Sequence, residues 1–512
     1  MITQNIIGFT LSSKSNKIIF ASDPYNNNKL PEEFVVATID EVDMALQKAT
    51  SAWRIMRHQH PDQRASFLES IADGIETLDE VLVNRVMLET AYNQARVLIE
   101  RRRTVNQLRM FADYIRKDSW KDIVIERAIP GRMPSPKPDL RKINMPIGPV
   151  IVFAASNFPL AYSTMGGDSV SALAAGCPVI VKAHESHLGT NALISEVVMK
   201  AAKETGMPDG IFSSLHGDGF ETGKLLVTHP LTAAVGFTGS LNGGRALFDL
   251  GSQREKPIPV FAEMGSVNPV FLLPEKVADD IEKLSQNLVD SITLTVGQFC
   301  TNPGIIVALK NKDTDDLIER MSEKLSQISS ATMLNENIAS NFQKGVATLL
   351  LEKDLTIVSK QNVVNSMQAS PVLAKVDADI FLQRPILHQE VFGPFSLIVL
   401  CNEFSQILKV AESLEGQLTS TLHATSNEFS EAQKLTDILL EKAGRIIFNG
   451  VPTGVEVCEA MTHGGPYPAS TDSRFTAVGH HAIRRWLRPV TFQDGPDELL
   501  PSTLKDREIM EP

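Results

Sequence analysis

One thiol and one carboxylate stand in the stretch from Pro257 to Gly304, each among small, apolar or turn-forming residues. Glu263 lies in PIPVFAEMGSVNPVF and Cys300 in TVGQFCTNPG. A thiol is a nucleophile only as its thiolate, so its surroundings decide whether it reacts. A carboxylate among apolar neighbours has its charged form disfavoured, which raises its pKa toward the range of a general base. Such a pair suits a reaction in two halves: attack by sulfur, then attack by water that the carboxylate activates. Free cysteine is more often a small buried hydrophobe, and Glu263 could equally end a strand. The glycines set this pair apart. Gly265, Gly297 and Gly304 allow tight bends and the close approach of another group. Pro303-Gly304 marks a turn just past the thiol, so backbone N–H groups beside Cys300 could face an oxyanion.

Other polar residues sit where strands are expected to end. The apolar run Pro149 to Ala155 delivers Asn157, whose amide could cap a turn or donate to an oxyanion. Pro178 to Lys182 is a second apolar run, tipped by Lys182 with Glu185 close behind. Alone, that pair reads as a solvated loop; in a dinucleotide site it would face ribose hydroxyls, and Glu185 would repel a 2′-phosphate. Val235-Gly-Phe-Thr-Gly-Ser240 ends a strand in Gly239 and opens a helix that Ser240 can cap. A helix N-terminus attracts phosphate, although the spacing from Gly239 to Gly244 is not the GxGxxG fingerprint. Glu390-Val-Phe392 is either a surface turn or a ribose acceptor followed by a ring packed on a flat ligand. His184, His187, His480 and His481 form no HExxH pattern and read as structural or exposed, so no metal is expected.

These residues need a scaffold, and the pattern of elements supplies one. A capping box at Thr38-Ile-Asp-Glu41 opens a helix through Trp53, and Pro61 starts a second helix. A third helical pattern runs from Asp79 to Trp120; the arginines at 101–103 within it read as a solvated or interfacial face. Four prolines between Ala128 and Pro138 mark a connector or exposed ribbon. From Pro149 onward, strands alternate with helices, which implies a parallel sheet covered on both faces, with ligands at the carboxyl ends of its strands. The second half repeats the alternation around Cys300. Arg488 to Gln493 alternates like an edge strand that could pair with another chain.

With 512 residues the chain is long enough for two or three domains, and 43% apolar content supports a large core. A net charge of -12 argues against a nucleic-acid surface. The four cysteines, at 177, 300, 401 and 458, lack metal-like spacing and fit a reducing compartment. No basic n-region with an apolar core opens the chain, and no apolar run is long enough to span a membrane, so a cytoplasmic protein is expected.

Seven motifs in order, SNFP, VKAHE, GFTGS, FAEMGSVNP, GQFCTNPG, EVFGPF and FNGVPTG, resemble the NAD(P)-dependent aldehyde dehydrogenase superfamily from about Thr38 to Pro489. AEMGSVNPVF, GQFCTNPG and HGGPYPAS look most like its 2-oxoglutarate semialdehyde (2,5-dioxopentanoate) dehydrogenases, with the fatty aldehyde dehydrogenases of luminous bacteria as cousins. The resemblance implies an α/β chain with three parts: a Rossmann-type cofactor domain over 1–127 and 148–261, a catalytic domain over 262–455, and a small β oligomerisation element over 128–147 and 478–496. It implies Cys300 as nucleophile, Glu263 as base, and Asn157 with the Cys300 N–H as oxyanion hole. Lys182 and Glu185 would flank the adenosine ribose, and Gly239, Ser240 and Gly244 would receive the pyrophosphate. Glu390 and Phe392 would hold the nicotinamide end. Substrate choice would rest near Tyr162, Met165 and Phe299, with Arg474 a candidate for a substrate carboxylate. Many members of the subgroup lack an acid at Glu185 and several of those prefer NADP, so NAD is expected to serve here at least as well as NADP. A homodimer or homotetramer acting on a small aldehyde is implied. The competing readings are an enzyme for long-chain or aromatic aldehydes, a CoA-acylating relative, and a non-enzymatic descendant of the fold.

Overall fold

The structure is a computed structural model, and it describes residues 1–506 apart from 218 and 364. Two sheets of seven strands dominate it. The first runs in the order Val260–Glu263, Ala234–Thr238, Val150–Phe153, Val179–Lys182, Phe212–Leu215, Asn5–Ile7, Thr10–Ser12. Its first five strands are parallel and the last two antiparallel. The parallel strands are near-continuous apolar runs because both faces are covered. Val150, Val152, Val179 and Val181 face the helices Pro61–Thr77, Gln94–Ile115, Gly167–Ala175 and Leu188–Glu204, while Ile151, Ile180 and Val235 face Ile39–Met56, Phe220–Thr228 and Leu241–Ser252. Each fully buried aliphatic side chain contributes about 1.5–3 kcal/mol relative to exposure.

The expected capping box holds: Thr38 Oγ1 accepts from Glu41 N, and Glu41 Oε2 accepts from Thr38 N at 2.8 Å. Pro61 occupies the first turn of its helix. The long helical pattern from Asp79 to Trp120 is instead broken. Asp79–Thr90 stops at Ala91, which adopts φ +57°, and a new helix, Gln94–Ile115, starts where Asn93 caps Arg96 N at 2.9 Å. Asn at an N-cap outcompetes helix continuation because its side chain satisfies a terminal N–H.

The second sheet runs Thr356–Lys360, Val372–Asp377, Phe395–Cys401, Ile305–Leu309, Val270–Leu272, Gln417–His423, Ala443–Phe448 and is parallel except at its first strand. A third sheet pairs Leu487–Gln493, Leu140–Pro146 and Val124–Glu126 antiparallel. It begins at Val124, ahead of the expected boundary at 127/128, and the strand Val260–Glu263 crosses the one expected at 261/262. Among the described residues no helix is long and apolar enough to cross a membrane.

Candidate active site

The two sheets deliver the reactive groups to one cleft. Glu263 is the last residue of the first sheet's edge strand, and Asn157 follows the end of Val150–Phe153, two strands in from that edge. Cys300 precedes the second-sheet strand Ile305–Leu309. All three line a cavity of about 530 Å³, together with Gly239, Ser240, Glu390 and Phe392.

The Cys300 loop is held under strain. Thr295 and Val296 take φ +50° and +56°, a region that costs β-branched residues of order 1–3 kcal/mol each. Gly297 follows at φ +65°, and a Cβ there would strike the backbone of Gly393. Asn268 ties the loop down: its Nδ2 donates to the carbonyls of Cys300 and Asn302, each at 2.9 Å. The FAEMGSVNP and GQFCTNPG motifs are thus joined through one amide. Asn157 is anchored on the other side, its Nδ2 donating to Gln298 O at 3.1 Å and its carbonyl accepting from Tyr92 Oη at 3.0 Å. Asn157 also lines the cleft.

A third titratable group joins the pair. His463 Nε2 lies 3.6 Å from Cys300 Sγ and 3.0 Å from Glu263 Oε1. The latter approach is close but off the line of a hydrogen bond, and both Glu263 oxygens are buried without other partners. Burial and the Glu263 charge push the Cys300 thiol well above its ordinary value of 9.0. Burial alone would raise Glu263 as well. The His463 imidazole and the neighbouring thiol outweigh it and hold the carboxyl below its ordinary value. The expectation of a raised carboxyl is corrected by this neighbour, which the apolar flanks of Glu263 do not reveal. Cys300 therefore holds its proton more tightly than a free thiol, with the Glu263 carboxyl and the His463 ring beside it.

On the same cleft, Ser240 caps the helix Leu241–Ser252 by accepting from Gly243 N at 3.2 Å. Gly239 and Gly243 line the cleft; Gly244 does not, since its Cβ position abuts Met264 and Ala262, so it lets the helix close on the sheet. Lys182 is buried at the tip of its strand, 3.6 Å from the half-exposed carboxylate of Glu185. His184, expected to be structural or exposed, lines the cleft between them and Gly239. Glu390 opens on the cleft, yet the protein around it pushes its carboxyl up to about 7. Gly265 is glycine for want of space, because a Cβ would press on Glu390 Oε2.

On the aldehyde side, Tyr162 and Phe299 pack with Phe158, Val478 and Met461. Met165 is not brought there: it is buried in the core behind the first sheet with Leu160 and Val170. Nor is Arg474, whose side chain is 80% exposed and paired with Asp472 at 2.6 Å. The solvated reading of residues 101–103 fails at Arg103, which turns inward to donate to Tyr162 Oη at 3.1 Å, while Arg101 pairs with Asp79 as a surface residue does. His463 and Arg103 stand beside these groups although sequence reasoning did not name them for the site. The signal for His463 was the HGGPYPAS motif; for Arg103, a helix phase that places it on the side of buried Glu100 and Gln107.

Comparison with known proteins agrees with this geometry. The sequence model of the aldehyde dehydrogenase family matches residues 10–490. The chain is 45% identical over 503 residues to alpha-ketoglutaric semialdehyde dehydrogenase 2 of Azospirillum brasilense, covering 98% of this chain and 96% of that protein. It is 44% identical over 475 residues to alpha-ketoglutaric semialdehyde dehydrogenase of Acinetobacter baylyi, covering 92% and 90%. Among solved structures, a betaine aldehyde dehydrogenase variant from Staphylococcus aureus in complex with NAD+ superposes with a TM-score of 0.82 at 18% identity, over 97% of each chain. The chain belongs to the aldehyde dehydrogenase family.

Proposed function

We propose that this protein oxidises 2-oxoglutarate semialdehyde to 2-oxoglutarate through a thioester on Cys300. The observation that carries the reading is the convergence of Cys300 Sγ, Glu263 and Asn157 on one cleft that a capped helix N-terminus also lines. The substrate follows from the two relatives at 45% and 44% identity.

The cleft fits a nicotinamide dinucleotide. Gly239 and Gly243 present no side chain to the cleft at the start of the helix Leu241–Ser252, and Gly265 lines it beside Glu390. Ser240 and the helix start would hold the pyrophosphate, Lys182 and Glu185 the adenosine ribose, and Glu390 and Phe392 the nicotinamide end. When bound, the cofactor supplies the two-electron acceptor. Glu185 stands where a 2′-phosphate would meet like charge, so NAD serves at least as well as NADP.

The chain's own residues do the rest. His463 Nε2 takes the thiol proton as Cys300 Sγ attacks the aldehyde carbon. The side-chain amide of Asn157 and the backbone N–H of Cys300 stabilise the oxyanion that forms. After oxidation to the thioester, Glu263 draws a proton from water, whose oxygen attacks the acyl carbon and releases the carboxylate and the thiol. A buried carboxylate with open oxygens suits hydrolysis rather than transfer to CoA. The open edges at Ala443–Phe448 and Leu487–Gln493 suit pairing between copies in a cytoplasmic homodimer or homotetramer.

A panel of semialdehydes, decanal and pentanal, run with each cofactor and with CoA added, tests the reading. The expected result is highest kcat/KM with 2-oxoglutarate semialdehyde, no acyl-CoA, and no turnover by Cys300→Ala despite normal NAD binding. Preference for decanal, or activity in Cys300→Ala, would overturn it.

A further inference from the structure

The aromatic wall beside the thiol carries a charge, that of Arg103, with no ion-pair partner among the described residues. Arg103 Nη2 donates to Tyr162 Oη at 3.1 Å, and the guanidinium lies 5.3 Å from the Tyr162 ring centre. Its Nε is buried without a hydrogen-bond partner. Among the described residues no carboxylate forms an ion pair with it. Glu100 is near, but its oxygens are engaged by Arg96 at 2.8 Å and by the N–H groups of Leu160 and Ala161 at 2.9 Å.

Of the other arginines in the region, Arg96 and Arg474 are paired with carboxylates; Arg445 forms no ion pair among the described residues and its Nε is also unpartnered, but its other nitrogens are taken by carbonyls. Arg96 pairs with Glu100 and stacks over Phe158, 4.6 Å from its ring centre. Arg445 donates to the carbonyls of Gly454 and Pro452 at 3.0 and 2.7 Å. Arg474 is turned outward onto Asp472. Arg103 also lies on a short path to the sulfur: the Tyr162 ring centre is 6.1 Å from that of His463, whose Nε2 is 3.6 Å from Cys300 Sγ. The charges of Arg103 and Cys300 are close enough to influence each other.

A half-buried guanidinium without a counter-charge has lost part of its hydration, which an anion can replace. A substrate with an aldehyde at one end and a carboxylate at the other supplies that anion. Five carbons span only four bonds of about 1.5 Å, so both ends must meet the same wall of the site. We propose that Arg103 is the specificity-determining residue that takes the substrate carboxylate while the aldehyde carbon lies against Cys300 Sγ, and that Tyr162 Oη positions its guanidinium. This rests on the semialdehyde reading above. It places the bidentate fork of an arginine, which matches a carboxylate in geometry as well as charge, opposite the oxo-acid end.

The test compares kcat/KM for 2-oxoglutarate semialdehyde with that for pentanal, an uncharged aldehyde of equal chain length. Wild type, Arg103→Met, Arg103→Lys and Tyr162→Phe are compared, with NAD affinity and melting temperature measured as folding controls. Glutarate, a non-reactive dicarboxylate, serves as a binding probe by calorimetry. In Arg103→Met the ratio of the two kcat/KM values should fall about 10–100-fold, as expected for losing hydrogen bonds to a charged group, and glutarate binding should be lost. Arg103→Lys should recover part of both, and Tyr162→Phe should reduce the ratio less than Arg103→Met. A wild-type enzyme indifferent to the two aldehydes would overturn the semialdehyde reading and the proposal with it. A wild-type preference that survives in Arg103→Met would overturn the assignment of Arg103 alone, as would an equal loss on both aldehydes.

Discussion

Replacing His463 by glutamine asks how the thiol loses its proton. Cys300 Sγ has the imidazole Nε2 3.6 Å away, and burial with the Glu263 charge holds the thiol well above 9.0. A thiol with a pKa above 9 is less than about 1% thiolate at pH 7. On the proposed mechanism the imidazole accepts the proton during attack, so the wild type would not depend on that small fraction. Glutamine preserves a polar side chain but takes no proton. The reaction must then draw on pre-formed thiolate, and kcat/KM at pH 7 should fall by about 10²–10³-fold, within the usual reach of general base catalysis. The defect should shrink about tenfold for each pH unit gained between roughly 7 and 9, since thiolate grows tenfold per unit while the pH stays below the pKa. The wild type should vary far less. Alkylation of Cys300 by iodoacetamide, followed by mass spectrometry across that range, reads attack by the sulfur, with or without a base to take its proton, and is blind to hydride transfer and hydrolysis. Steady-state kcat/KM is measured beside it. Alkylation profiles that coincide in wild type and His463→Gln, or a loss of activity below about threefold, would refute the role of His463 as base.

Two further outcomes are expected. The carboxyl of Glu390, pushed up to about 7, is half protonated near neutrality, and only its anion is a full acceptor for ribose hydroxyls. NAD affinity should therefore weaken several-fold as pH falls through about 7, and Glu390→Gln should flatten the profile; calorimetric titrations that show the same pH dependence in both proteins would count against it. Gly297→Ala forces a Cβ into a left-handed residue and onto the Gly393 backbone, so it should cost more than about 2 kcal/mol and lower the melting temperature; a melting temperature within about a degree of wild type would show that the loop yields.

Much of the scaffold was legible because it is local. The helix start at Thr38, the proline-led helix at Pro61 and the buried runs at Val150–Phe153 and Val179–Lys182 each follow from cap chemistry or hydrophobic period within a few residues. Cys300, Glu263 and Asn157 stood out for the same reason: each lies in a glycine- or proline-marked segment that announces a turn. The break at Ala91 was missed because helical periodicity resumes in phase beyond it, and only the cap at Asn93 marks the restart.

What the tertiary structure alone decided are relations across long sequence separations. His463 lies 163 residues from Cys300, and nothing in the local pattern of either predicts that one ring nitrogen faces both the thiol and Glu263. That contact reverses the pKa shift expected of Glu263, because a neighbouring imidazole acts over ångströms of space rather than positions of chain. Arg103 and Arg474 exchange roles on the same ground. Composition makes every arginine alike, while the fold turns one inward to Tyr162 and leaves the other on Asp472. Local sequence thus determined which elements form and which groups could react, whereas charge and proton placement depended on packing, which brings distant residues within a few ångströms.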